Sequence, residues 1–143
     1  IPNMTVVVPA DAASTEVIVE EISKYNGPAY IRLGRYEVPK VFDSSYKFIL
    51  GKANVLKESG KDATIICNGV MVGRSIEAEK ILAANGYNVR LVEMASVKPI
   101  DEECIMESAK KTGAIVTVEE HTVMGGLGSA VAEVVVRNSP VPM

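Results

Sequence analysis

The sequence has no tryptophan, two phenylalanines, two cysteines and a single histidine. Each scarcity removes a class of explanation. With aromatics at 5%, the interior has to be built from Val, Ile, Leu, Ala and Met, which suits parallel strands covered on both faces. Two cysteines give no disulfide framework. Cys67 ends an apolar run and Cys104 lies in a helical stretch. Both read as buried thiols, as expected in a reducing, cytoplasmic setting. One histidine without a second argues against zinc, and no metal ligand is assigned. No signal-peptide pattern is visible, and no apolar run approaches the roughly 20 residues needed to span a bilayer. A net charge of −3 offers no basic excess, so neither nucleic acid nor a membrane is an expected partner. There is no Ser-His-Asp pattern, nucleophile elbow, Walker sequence or acid–base pair, so no catalytic residue is assigned.

What the chain does contain is 48% hydrophobic residues in a strand–helix alternation. Thr5 to Val8 reads as a strand, followed by a helix capped by Asp11 and running to about Tyr25. Asn26-Gly27-Pro28 stops it, and Ala29 to Leu33 forms a second strand. Residues 36 to 62 are mixed and polar, a linker with a short strand expected near Phe48 to Leu50. A second series follows: strand Ala63 to Cys67, helix Val72 to Asn85, strand Val89 to Met94, helix 101 to 112, strand Ala114 to Val118, helix 127 to 137. The helix from 101 carries Glu102 and Glu103 in its first turn, where the helix dipole favours them. This alternation predicts an α/β fold, a mostly parallel sheet with helices on both faces and right-handed crossovers.

Charge is unevenly spread. Residues 32 to 61 hold seven cations against three anions, so that segment is +4 and the remainder −7. A solvated linker is one reading; a contact between one or two of these cations and an anionic ligand is the other. Arg32 and Arg35 lie three apart at the carboxyl end of a strand, and arginine suits bidentate phosphate binding. Gly34 between them lets backbone or ligand approach closely.

The stretch AIVTVEEHTVMGGLGSAV (114 to 131) has an unusual connection. A β-branched strand ends in Glu119, Glu120 and His121, and a long loop leads to Gly125, Gly126 and Gly128, where a helix begins. Connections near ten residues tend to be functional or to cover an interface, and this one sits at the carboxyl end of a parallel strand, where open α/β sheets place ligands. The glycines do not make a dinucleotide fingerprint, because the third small position falls on Val131. They serve either close packing or an interface, or expose amides that hold an anion at the helix start. His121 is either a hydrogen-bonded structural residue or part of a site edge or interface.

Five blocks, PADAASTEVI (9 to 18), PAYIRLGR (28 to 35), DATIICNG (62 to 69), VKPID (97 to 101) and VEEHTVMGGLGSAV (118 to 131), together resemble the carboxyl-terminal part of transketolase. Order and spacing match over essentially the whole chain, and the last block is the most specific. It is similar to the Val-Glu-Asp-His…Gly-Gly-Ile-Gly version of that family, including split enzymes whose carboxyl-terminal half is a separate polypeptide. Deoxyxylulose-phosphate synthase and the β subunit of 2-oxo-acid dehydrogenases share the fold and the glycine turn, and stand as alternatives. A third alternative is a non-catalytic assembly or regulatory module.

The resemblance implies that residues 1–42 end a pyrimidine-binding domain, 43–61 are a linker, and 62–143 are the carboxyl-terminal domain, cut within its last strand. It implies a two-carbon ketol transfer between sugar phosphates in the pentose phosphate pathway, with thiamine diphosphate and Mg²⁺ held by residues upstream of Ile1. It also implies a homodimer, and a partner in the amino-terminal half of the enzyme, on the same chain or as a separate polypeptide. In the Ile-Arg-Thr-Ser-Arg-like motif of related transketolases the second arginine contacts the substrate phosphate; that position is Arg35. Arg32, His121, Gly125, Gly126 and Gly128 are expected at an interface or site edge. The ends, Ile1-Pro2-Asn3 and Pro140-Val141-Pro142-Met143, suggest a fragment of a larger enzyme, and the resemblance implies that it is inactive alone.

Overall fold

A computed structural model describes residues 1–143. Strand β1 (Thr5–Val7) leads to helix α1 (Ala12–Ser23) and strand β2 (Ala29–Ile31). After a long connection come β3 (Asn54–Lys57), β4 (Ala63–Cys67), α2 (Met71–Ala84), β5 (Val89–Glu93), β6 (Ser96–Lys98), α3 (Glu102–Thr112), β7 (Ile115–Val118) and α4 (Leu127–Asn138). The expected helices and all but two of the expected strands are present, with ends shifted by at most a few residues; the terminal strand expected from Pro140 does not form, although Ile115 N–H donates to the Pro142 carbonyl oxygen at 3.0 Å.

The strands form two sheets. One has the order β3-β5-β4-β7, with β4 parallel to both β5 and β7, and β3 antiparallel at the edge. Alternation along its central strands divides two cores. Ile66 and Val92 face α3 and α4, packing with Ile105, Leu127 and Val131. Ile65, Cys67 and Leu91 face the other way, towards Val72 of α2. Helices thus cover both faces, as the apolar, aromatic-poor sequence requires. Both cysteines are buried and free, and burial pushes the Cys67 thiol up to about 12. Arg90, in β5, has no exposed side chain and is met by Glu58 at 3.2 Å and Glu107 at 3.1 Å, as a buried charge must be.

The second sheet is smaller, with the order β2-β1-β6. β1 and β2 are parallel, joined through α1, while β6 runs antiparallel to β1. The sequence does not announce β6. It is three residues long, follows β5 almost directly, and precedes Pro99 and the helix cap Asp101, so its sequence reads as a helix approach. The pairing means that the first β-α-β unit and the later part of the chain share backbone hydrogen bonds.

The connection between the units corrects a second expectation. Phe48 to Leu50 form no strand. Phe48 is instead buried as a plug between Val7, Ile18 and Ala95, and the strand of this region lies further on, at β3. The connection is held by side chains of both units. The Val41 and Phe42 N–H groups donate to Asp11 at 2.8 Å each. Gly51 N–H donates to the Ser96 hydroxyl at 3.1 Å, and Ala53 N–H to Asp101 at 3.0 Å. Asn54 Nδ2 donates to Glu93 at 2.9 Å, and the Tyr46 hydroxyl reaches the same carboxylate at 3.2 Å. The Phe42 and Tyr46 rings pack with centroids 4.5 Å apart.

Two of these carboxyls respond to burial differently. For Asp11, burial alone would raise the pKa, but donation from the Phe42, Ser14 and Val41 N–H groups outweighs it and holds the carboxyl below its ordinary value. For Glu93, burial wins over hydrogen bonds from Asn54 and Tyr46, and the field of Asp11 adds to it, raising the carboxyl from 4.5 to about 7. Between those two values the folded chain holds a proton that the unfolded chain has released. Stability therefore falls as pH rises across that window and is lowest above it. Glu93→Gln should remove this slope: urea midpoints at pH 5 and pH 8 should differ for the parent chain beyond any difference shown by the variant.

Candidate functional site

The carboxyl ends of β2, β4 and β7 come together where the two sheets meet. They surround a cavity of about 240 Å³ lined by Tyr30, Arg32, Asn68, Glu120, His121 and Gly126, among others. Four of the residues singled out in the sequence, Arg32, His121, Gly125 and Gly126, share this lining. Gly128 faces a neighbouring groove with Thr117 and Ser129. Arg35 stands apart, on the segment just beyond β2; it is exposed and forms no ion pair, whereas Arg32 pairs with Glu120 at 3.5 Å.

The glycine turn has a specific cause. Helix α4 begins at Leu127 with Gly126 as its N-cap, a residue with no side chain to satisfy the free N–H groups. Glu119 supplies the missing acceptor from the end of β7: its carboxylate accepts from Leu127 N–H at 2.7 Å and Gly128 N–H at 2.8 Å. A Cβ on Gly126 would lie 2.3 Å from Glu119 Oε2, and one on Gly128 would lie 2.9 Å from Thr117 Oγ1. The Glu119 carboxylate and the Thr117 hydroxyl fill the space a side chain would take at these two glycines, so a larger residue would have to displace them. Gly125 has φ +78, a left-handed turn residue, and its N–H donates to the Ser129 hydroxyl at 2.9 Å.

Of the two readings of this turn, packing and an anion at the helix start, the fold combines both with an internal anion. This bears on diphosphate binding. The one glycine-rich helix start in the chain already has its amides engaged by Glu119, and no group of three or more His, Cys, Asp or Glu side chains is arranged to hold a metal ion. Residues 1–143 do not fit a thiamine diphosphate–Mg²⁺ site.

His121 is exposed, and its Nδ1 lies 3.1 Å from the Thr122 carbonyl oxygen. Beyond it, Val123 and Met124 are 92% and 82% exposed, an apolar loop tip. Gly34 answers the question its position raised: a Cβ there would sit 2.8 Å from Val70 Cγ1, so the missing side chain lets the Arg32–Arg35 segment lie against the turn ahead of α2.

Sequence reasoning missed the roles of Glu119 and Glu93. A signal for Glu119 existed: a helix start with no Ser, Thr, Asp or Asn at its N-cap calls for an acceptor elsewhere, and an acidic pair stood eight residues upstream. Glu93 carried none, because nothing in a strand sequence announces which neighbour will face its last residue.

Residues 51–142 match the family described as transketolase, C-terminal domain. The chain belongs to the transketolase family, as its carboxyl-terminal section. It is 43% identical over 143 residues to a 6-deoxy-6-sulfo-D-fructose transketolase subunit of Clostridium sp. (strain MSTE9), covering 100% of this chain and 44% of that protein. It is also 43% identical over 143 residues to an apulose-4-phosphate transketolase subunit of Phocaeicola vulgatus, covering 99% and 45%. A solved structure of a split gene transketolase, described as an inactive beta4 tetramer, superposes with a TM-score of 0.96 at 55% identity, covering 99% of this chain and 47% of that one. The chain thus spans less than half the length of these relatives.

Replacing Glu119 by Ala removes the acceptor for two amides at the start of α4. The expected loss is about 1–2 kcal/mol of stability, in the range of a deleted helix cap. Urea denaturation of parent and variant measures it.

Proposed function

We propose that this chain is the carboxyl-terminal part of an enzyme that transfers a two-carbon ketol unit between sugars bearing a terminal anionic group. The observation that carries this reading is the pairing of family membership with Arg35, an exposed guanidinium without an internal partner on the segment just beyond β2. Arg35 would hold the terminal phosphate of the substrate. The two relatives named above fit that role, since one name carries a sulfonate-bearing sugar and the other a sugar phosphate. Neither fixes the sugar used here, and the pentose phosphate pathway is the proposed setting.

The complete enzyme would take thiamine diphosphate and Mg²⁺ on its amino-terminal half, which supplies the carbanion chemistry. This chain's own part is to bind the sugar's anionic end and to support assembly. We assign residues 1–42 to the end of a pyrimidine-binding domain, 43–61 to the connection and 62–143 to the carboxyl-terminal domain. The two sheets support that division, although β3 lies within the connection and β6 crosses back to the first sheet. His121, Gly125, Gly126 and Gly128 would lie at a subunit interface or site edge, with the exposed Val123–Met124 tip beside them. A homodimer of complete enzymes in the cytoplasm is the proposed assembly, and the chain alone would be inactive.

A pyruvate-using synthase or a dehydrogenase β subunit is a weaker reading, because the relatives named above are transketolases. The test is two-carbon transfer from xylulose 5-phosphate to ribose 5-phosphate with thiamine diphosphate and Mg²⁺. Transfer is expected only when the chain is joined to its upstream half; no transfer in either form overturns the pentose phosphate setting, and no transfer with a sulfonated sugar or apulose 4-phosphate as well overturns the proposal. In the complete enzyme, Arg35→Ala should raise KM for phosphorylated sugars about 10- to 100-fold, the worth of one charge-assisted contact, and spare unphosphorylated ones. Equal effects on both would remove Arg35 from the phosphate site.

A further inference from the structure

We propose that Glu120 is a positioning residue, setting the place of Arg35 through Arg32; the inference rests on the reading of Arg35 as the phosphate contact. β2 is an edge strand, and its last pairing on the sheet is the Arg32 N–H donating to the Val7 carbonyl oxygen at 2.9 Å. Beyond that bond the first unit does not hold the segment that carries Arg35. Two contacts from the second unit do. The Arg32 guanidinium reaches Glu120 Oε2 at 3.5 Å, and Gly34 lies against Val70, where a Cβ would come within 2.8 Å of Cγ1. Val70 stands in the turn after β4, and Glu120 just beyond β7, so the segment is braced from the carboxyl ends of two parallel strands.

The brace has a fixed base. Glu119, the residue before Glu120, is anchored by two hydrogen bonds at the start of α4. The chain therefore reaches Glu120 from a held position, and Glu120 carries that position to Arg32. The pair is partly exposed, at 31% and 39% of the two side chains, so its contribution to stability is slight. Its role is geometric. A binding side chain acts within narrow tolerances of place and angle, and contacts that fix its backbone decide whether it meets the ligand in register.

The test uses the complete enzyme with its upstream half. Glu120→Gln should raise KM for phosphorylated sugars about two- to fivefold, the worth of one exposed ion pair. The rise should be selective, with KM for an unphosphorylated ketose moving less than KM for the phosphorylated one. Arg32→Glu should do the same, and the exchanged pair Arg32→Glu with Glu120→Arg should restore the parent KM, which a general loss of fold would not allow. Gly34→Ala provides an independent route: it should give the same selective rise, relieved by adding Val70→Ala. If Arg35→Ala discriminates against phosphorylated sugars while Glu120→Gln and Gly34→Ala do not, the positioning role is overturned and the phosphate role stands. If Arg35→Ala does not discriminate, both fall together.

Discussion

The arrangement depends on one buried carboxylate. Asp11 ends the first strand's turn, caps α1 through Ser14 N–H at 2.9 Å, and accepts from the Val41 and Phe42 N–H groups. A single side chain therefore starts a helix and captures the chain thirty residues later. Without it, two backbone donors in a partly buried place would lack partners, which a fold does not tolerate cheaply. With it, the connection is turned back across the junction. There Tyr46, Phe48 and Asn54 meet the second unit, so the basic segment that looks like a loose linker in sequence is pinned along much of its length.

A similar economy governs the end of β7. Two adjacent glutamates carry different tasks because their neighbours differ. Glu119 meets free amides at the start of a helix and becomes part of the backbone's hydrogen bonding. Glu120 meets a guanidinium from the other unit. Between them the two residues join α4, β7 and the segment beyond β2 at one corner of the molecule. The glycines of the turn serve this junction: at two of them the Glu119 carboxylate and the Thr117 hydroxyl occupy the space a side chain would need.

How far the sequence reveals this can be judged from particular elements. Helices α1 to α4 and strands β1, β2, β4, β5 and β7 are legible, because their apolar patterns, caps and glycine stops are local signals. β6 is not, since three residues paired to a strand far back in the chain leave no periodicity to read. Phe48 reads as part of a strand and is not one: an apolar triplet looks the same whether it lies in a ladder or plugs a gap between units. At the candidate site, Arg32, His121, Gly125 and Gly126 share a cavity lining, while Gly128, singled out with them, faces a neighbouring groove and Arg35 stands apart. The use of Glu119 as a cap is hidden by an eight-residue separation that only the fold closes. The buried contacts of Glu93 are hidden for the same reason, because its partners come from the connection rather than from its own unit.

The antiparallel pairing of β6 with β1 has a consequence for how such a protein can be divided. A break in the connection between the two sheets would look harmless in the sequence, falling in a mixed, basic segment. Yet it would leave a chain beginning near residue 60 with β6 deprived of its neighbour, presenting unpaired amides and carbonyls along an open edge. The first unit would lose the strand covering β1. The seam visible in composition is therefore not a seam in hydrogen bonding. A gene encoding this architecture in two pieces would keep β1 and β6 on the same polypeptide, or else depend on the pieces finding each other before their edges find something else.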